Sequence, residues 1–326
     1  MKRVFKILLR VLIILIIILG TFLFILRDKI SLSINIVKRY SEFVQNNDLN
    51  KVEDLSIKSS VEADYKDLIY KNTNDVPLTL DIYKARKDLK NGSPVIVYVH
   101  GGSWAYGDKE IPEAISPLLD AFRDEGITII STSYELMRED ENFEKQISDV
   151  KDTIRWIYKN REEYKFDTNK IGIIGASSGA QLSLMAAYSE DNEFIDSDEL
   201  KGYSSKVKYV IDFFGPTDLN TLDLINVNYD LKKIINSVSN KEDILNKYSP
   251  INYIEDNEPS TLIVHSIKDE MVSYENAEIL YTKLKENKNK TTLITLKGTS
   301  HDFSQFDKNE IIEVGFKIIE FITKNI

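Results

Sequence analysis

The chain contains no cysteine and only three histidines among its 326 residues. The first absence excludes disulfides, thiolate metal sites and a lipidated cysteine anchor. It does not choose a compartment, since a chain without cysteine suits an oxidising exterior as well as a cytoplasm. The second confines any imidazole chemistry to His100, His265 and His301. Basic stripes are missing as well: Lys and Arg number 42 against 52 Asp and Glu, a net charge of −10. With no aromatics interleaved among basic residues, this balance argues against a nucleic-acid partner. No internal repeat or low-complexity tract is present. A chain of this length, 42% hydrophobic, can bury a full core, most simply as one α/β domain with extras.

Charge is also absent from residues 11–26, sixteen in a row, behind Lys2, Arg3, Lys6 and Arg10. Counted from Ile7 the stretch would span roughly 30 Å as a helix, the thickness of a bilayer core, with Arg10 able to snorkel to the headgroups. A cleaved signal peptide is the alternative, but no small-x-small site follows; the run ends Ile25-Leu26-Arg27-Asp28-Lys29. Residues 1–29 are therefore expected to be a transmembrane signal-anchor. Positive charge is denser before the span, which puts the remainder of the chain outside the cell membrane as a single-pass protein; secretion after cleavage is the competing localisation. Residues 30–60 are polar and mixed, and read as a linker or short helical stalk to a domain over residues 61–326.

In that domain, residues 63–70 and 78–83 flank Asn72-Thr73-Asn74-Asp75 as an antiparallel hairpin. Apolar β-branched runs follow at 95–99, 127–131, 171–174, 207–214, 262–265 and 293–296. Continuous rather than alternating apolarity predicts strands covered on both faces. Phe143, Ile147, Val150, Ile154 and Ile157 repeat at helical spacing, and residues 275–286 and 311–322 do likewise. Strand alternating with helix predicts a mostly parallel, doubly wound α/β sheet with ligands at the carboxyl ends of its strands. Residues 218–249 break the alternation, and are read either as a small lid or as a long crossover.

The most informative stretch is Ile171-Gly172-Ile173-Ile174-Gly175-Ala176-Ser177-Ser178-Gly179-Ala180. An apolar run enters Gly-x-Ser-x-Gly and leaves as a helix former, the pattern of a nucleophile elbow. In so tight a turn the residues two before and two after the serine crowd each other, so glycine is needed at 175 and 179. A dinucleotide-binding turn would need G-x-G-x-x-G, and the glycines do not fall at those spacings. Ser177 is the predicted nucleophile.

A serine needs a base, the base an orienting group, and the developing oxyanion needs donors. In the fold that carries this elbow the acid follows the serine and the histidine comes last. His301, in Gly298-Thr299-Ser300-His301-Asp302, follows Asp269 in His265-Ser266-Ile267-Lys268-Asp269-Glu270. The order Ser177, Asp269, His301 results, with Glu270 and Asp302 as competitors for the acid and His265 read as structural. His100-Gly101-Gly102-Ser103-Trp104 follows a buried strand and matches an oxyanion loop. The expected donors are the N–H groups of Gly102, Ser103 and Ser178.

With these motifs the chain resembles the α/β-hydrolase fold serine esterases, in the bacterial carboxylesterase and acetyl-esterase branch related to hormone-sensitive lipase and feruloyl-esterase-like enzymes. The likeness extends from about Tyr65 to the C-terminus and includes Leu80-Asp81-Ile82-Tyr83, Asp149-Val150, Arg155-Trp156, Asp167, Gly215-Pro216-Thr217-Asp218 and Ser249-Pro250. Many relatives carry an arginine after the tyrosine of the third strand, where this chain has Tyr134-Glu135; an internal arginine ion pair is therefore not carried over. The resemblance implies hydrolysis of carboxylic esters without cofactor or metal; the charge pattern at the N-terminus adds a membrane tether, and the short, mixed segment 218–249 adds small esters as the expected substrates. Oligomeric state is left open. Two alternatives remain at this stage: an idle hydrolase fold used for binding or sensing, and a serine peptidase of the same fold, for whose usual propeller the linker leaves no room.

Overall fold

Along the strand Ser93–Val99 every residue is buried, and successive side chains go to different cores. Val95, Val97 and Val99 join one apolar cluster, while Ile96 and Tyr98 join another. That is the pleat of a strand with helices on both faces. The computed structural model describes residues 29–45, 61–72, 77–222, 229–301, 305 and 307–326. Residues 1–28 of the expected anchor and 46–60 of the expected linker lie outside these. Among the described residues no helix is long and apolar enough to cross a membrane.

In chain order the elements are a helix over residues 29–45 (α1), β1 (Tyr65–Lys71), β2 (Leu78–Tyr83), β3 (Ser93–Val99), α2 (Ser116–Asp124), β4 (Thr128–Thr132), α3 (Phe143–Lys159), α4 (Arg161–Tyr164), β5 (Phe166–Ala176), α5 (Ser178–Tyr188), β6 (Tyr209–Phe213), α6 (Tyr229–Ser237), α7 (Lys241–Lys247), β7 (Ser260–Ser266), α8 (Glu275–Glu286), β8 (Thr291–Leu296) and α9 (Lys308–Asn325). The sheet order is β1-β2-β4-β3-β5-β6-β7-β8. β1 with β2 and β2 with β4 are antiparallel; every pairing from β4–β3 to β7–β8 is parallel. The expected hairpin and doubly wound sheet are both present, with β5 and its serine near the centre.

α3 shows why the helices form where they do. Phe143, Ile147, Val150, Ile154 and Ile157 are all fully buried, and each such burial contributes ~1.5–3 kcal/mol. One stripe therefore outweighs the few tenths of a kcal/mol, roughly, that β-branched residues lose in helix propensity. α5 and α8 lie in the same core, while α2 and α9 fill the opposite one.

The stretch read as linker behaves differently from a free stalk over its first half. In α1, Ile36 and Tyr40 are buried in the second core, with Leu32, Val37 and Val44 packed beside them. Tyr40 meets Phe316 of α9 edge-on at 5.1 Å, in space left by Gly315. Arg39 pairs with Asp124 at 2.7 Å. The spacing 32, 36, 40, 44 is an apolar helix face, and the body supplies the surface it needs.

Residues 218–249 contain α6 and α7. Ile234, Ile235 and Leu245 are buried in the first core together with Trp104, Phe143 and Tyr248, so these apolar side chains of the segment are spent on packing. Residues 223–228 lie outside the described ones. The departure at Glu135 has its compensation here too. Glu135 pairs with Lys145 at 2.6 Å, and buried Asp149 pairs with Lys71 of β1 at 2.7 Å, so a lysine from the hairpin occupies the ionic role beside α3.

Candidate active site

β5 delivers Ser177 at the carboxyl edge of the sheet in the backbone geometry the motif requires. Its φ is 53° and ψ −123°, a region that non-glycine residues occupy only under constraint. The constraint is visible: the Ser177 N–H donates to the Phe213 carbonyl at 2.8 Å, and α5 begins at the next residue. A side-chain carbon on Gly175 would run into the Gly179 carbonyl, and one on Gly179 into the carbonyls of Val99 and His100. The glycines are there for close approach.

Asp269 lies three residues past the end of β7. Its Oδ1 accepts the N–H groups of Met271 at 2.9 Å and Val272 at 2.7 Å, which aims Oδ2 outward. His301 comes from the loop after β8, pinned where the Glu310 carboxylate accepts the N–H groups of Lys297 at 2.8 Å and Gly298 at 3.0 Å. His301 Nδ1 is 2.7 Å from Asp269 Oδ2, and its Nε2 is 2.9 Å from Ser177 Oγ. The three residues expected to act together are thus brought into one hydrogen-bonded line. Of the competing acids, Asp302 lies outside the described residues, and the carboxylate at the imidazole is that of Asp269.

Burial alone would raise the Asp269 pKa, but hydrogen bonds from His265 and His301, the charge of His301 and the Val272 N–H outweigh it. The carboxyl is held well below the usual range and stays an acceptor. Nδ1 of His301 must therefore carry the proton, leaving Nε2 with a lone pair for the Ser177 hydroxyl. Such a line can remove a proton from the serine as it attacks a carbonyl carbon.

The loop His100–Trp104 lies against the elbow: a side-chain carbon on Gly101 would sit 2.8 Å from the Ala176 carbonyl and 3.4 Å from Ser177 Cβ. Gly102, Ser103 and Trp104 all have positive φ, of 124°, 50° and 61°. The loop's own turn uses the N–H groups of Ala105 and Tyr106, which donate to the Gly102 carbonyl. Ser178 opens α5, where the first N–H has no acceptor within its helix. The three expected donors thus lie on the two segments that meet at Ser177.

His100 itself is not a base. Burial keeps its pKa below the ordinary value, its ring stacks on Tyr134 with centroids 4.3 Å apart, and Nδ1 is 2.8 Å from the Gly101 carbonyl. Trp104 is buried, its Nε1 donating to Gln181 Oε1 at 2.9 Å and its ring edge-on to Phe143. Gln181 in turn donates to the Tyr248 carbonyl at 2.8 Å, joining the His100–Trp104 loop to the residues after α7. Three supporting residues were not singled out from the sequence: Gln181, Tyr134, whose hydroxyl donates to the His100 carbonyl at 3.0 Å, and Asp212 of β6. Nothing local marks them, because each acts through an element distant in the chain. Among the described residues no group of three or more His, Asp or Glu is arranged to hold a metal ion.

Comparison with known proteins agrees with this geometry. The BD-FAE family model matches residues 80–284. Esterase LipC of Mycobacterium tuberculosis (strain ATCC 25618 / H37Rv) is 24% identical over 241 residues, covering 72% of this chain and 59% of that protein. Esterase LipQ of the same organism is 27% identical over 215 residues, 61% of this chain and 49% of that protein. The chain thus spans between half and three-fifths of the length of these curated relatives. Among solved structures, the propionate-bound thermophilic esterase Est2 of Thermogutta terrifontis superposes with a TM-score of 0.65 at 23% identity, covering 80% of this chain and 94% of that one. A truncated carbohydrate esterase from gut microbiota does so with a TM-score of 0.65 at 24% identity, covering 82% and 100%. The fold is that of the α/β hydrolases.

Proposed function

The chain belongs to the BD-FAE family, and on that premise we propose that it hydrolyses carboxylic esters through an acyl-enzyme formed on Ser177. The observation that carries the reading is the line Ser177 Oγ–His301 Nε2–Asp269 Oδ2, with its 2.9 and 2.7 Å steps, lying beside the His100–Trp104 loop. His301 takes the serine proton as Oγ bonds to the ester carbon, and the N–H groups of Gly102, Ser103 and Ser178 receive the charge on the carbonyl oxygen. The same proton passes to the departing alcohol, and water repeats the sequence to free the acid. Asp269 holds the imidazole in its Nδ1–H tautomer throughout.

The proposed substrates are small soluble esters with acyl groups from acetyl to butyryl. A lipase opening onto fat needs a wide apolar lid face; here Ile234, Ile235 and Leu245 of the segment 218–249 are already buried in the core, and the segment mixes its apolar residues with Asp223, Asp230 and Lys232. Propionate and butyrate in the Thermogutta structures support short acyl groups, and the gut carbohydrate esterase supports a polar alcohol. Across esters from acetyl to palmitoyl, below micelle formation, kcat/KM should peak at two to four carbons and fall beyond. A pocket for long chains would instead gain ~0.8 kcal/mol per buried methylene, and a steady rise to ten carbons or more sinks the small-ester reading.

The tether is proposed on the sequence alone, from the uncharged run at 11–26 behind four basic residues. Fractionation of intact cells should leave the full-length chain in the membrane pellet and its body open to external protease. Recovery in the soluble fraction, or protection from protease outside, contradicts it.

A further inference from the structure

Asp269 has a second imidazole at its side. His265 Nε2 is 2.9 Å from the Val272 carbonyl and 3.4 Å from Asp269 Oδ2. A carbonyl only accepts, so Nε2 bears a hydrogen that it donates to Val272, with Asp269 Oδ2 close beside it. Val272 is also the residue whose N–H donates to Asp269 Oδ1 at 2.7 Å. His265 thus grips the turn that aims the carboxylate and the carboxylate itself.

Behind His265 stands Asp212. In the β6–β7 register Asp212 lies opposite Ile263, and His265 is two residues further along β7. Both therefore point to the same face from adjacent strands, with Cα atoms about 8 Å apart. Both are fully buried. Asp212 Oδ1 accepts the Gly215 N–H at 2.8 Å, whereas its Oδ2 and the Nδ1 of His265 have no hydrogen-bond partner among the described residues. A carboxylate oxygen and an imidazole nitrogen left unsatisfied on one buried face are costly. Burial pushes the Asp212 carboxyl up to about 7 against the attraction of His265.

We propose that His265, backed by Asp212, is a positioning residue that holds the Asp269 carboxylate in line with His301. The inference rests on the acyl-enzyme reading of Ser177. The groups facing His265 are Asp212 from β6, Asp269 from its own loop, the Tyr274 ring before α8 at 6.0 Å, and His301 across Asp269. Phe214 touches both imidazoles, at 5.6 Å from His265 and 6.0 Å from His301, and keeps the two rings in fixed relation.

Without the Nε2 donor, Asp269 becomes more basic and attracts the proton of the protonated His301 more strongly. The acid limb of kcat/KM then moves to higher pH, which a loss of packing alone does not produce. The test uses the full chain with a fluorophosphonate probe and a short ester. Wild type is measured first, and failure of wild type both to label and to hydrolyse refutes the ester reading. His265→Leu or His265→Met, whichever melts as wild type does, should lose kcat about 10- to 100-fold with KM within about twofold, and show the displaced acid limb. His265→Gln, whose amide places an N–H near the lost one, should recover kcat to within about fivefold of wild type. A donorless variant with wild-type kcat and acid limb overturns the proposal. So does a loss that glutamine does not repair and that leaves the acid limb in place.

Discussion

Ser177→Ala is expected to abolish fluorophosphonate labelling and to lower kcat by about 10⁴- to 10⁶-fold, with melting unchanged. The fold does not depend on the hydroxyl: the Ser177 backbone N–H makes the structural bond, to Phe213, and survives the change. Ser177→Gly should be equally inactive yet more stable, by about 1–3 kcal/mol, because glycine occupies φ 53° without penalty. A dead variant that melts higher is the signature of a strained nucleophile. Ser178→Ala keeps the backbone N–H proposed as an oxyanion donor and should retain most activity. Loss of labelling in Ser178→Ala but not in Ser177→Ala would place the elbow one residue off.

The second large effect separates the base from its orienting acid. His301→Ala should cost about 10⁶-fold in kcat and Asp269→Asn about 10⁴-fold. The asparagine leaves the imidazole in place but offers its Nδ1 an amide N–H as readily as an oxygen, and the tautomer needed at Nε2 is no longer enforced. Since Asp269 is held below the usual carboxylate range, it remains ionised through the working range. The acid limb of wild-type kcat/KM therefore reports the imidazole alone. The same depression means that the Asp269 carboxylate stabilises the fold above the unfolded pKa of ~4 and that this contribution disappears as pH falls through the folded value. Full activity in Asp269→Asn would move the acid's role to another carboxylate.

The sheet was legible because its strands are covered on both faces: a run such as Pro94-Val95-Ile96-Val97-Tyr98-Val99 has no polar side to disguise it. The elbow was legible because sterics force glycine at fixed offsets from Ser177. His301 emerged because only three imidazoles exist and the order of the groups is constrained. What stayed hidden depends on register and docking. Asp212 and His265 stand 53 residues apart in the sequence and become neighbours only through the pairing of Asp212 with Ile263. Lys71 falls one residue past the strand read at 63–70, and nothing around it in the sequence shows that α3 sets Asp149 against it. Trp104, the last residue of the His100–Trp104 loop, gives no sign in the sequence that Gln181 and Phe143 draw it into the core.

The docking of α1 bears on how the protein can be handled. A chain trimmed to begin at residue 61, the point at which composition suggests the catalytic body starts, would keep every residue of the proposed relay. It would also bare the greasy seam on α9 that Ile36 and Tyr40 now cover, with Phe316 at its centre and the notch at Gly315 empty. Such a surface finds cover in other copies of itself. The trimmed body should therefore self-associate and precipitate while each surviving monomer still turns over ester, and a chain retaining residues 29–45 should stay monodisperse in light scattering. Poor solubility of the shorter form would reflect the exposed seam, since its chemistry is untouched.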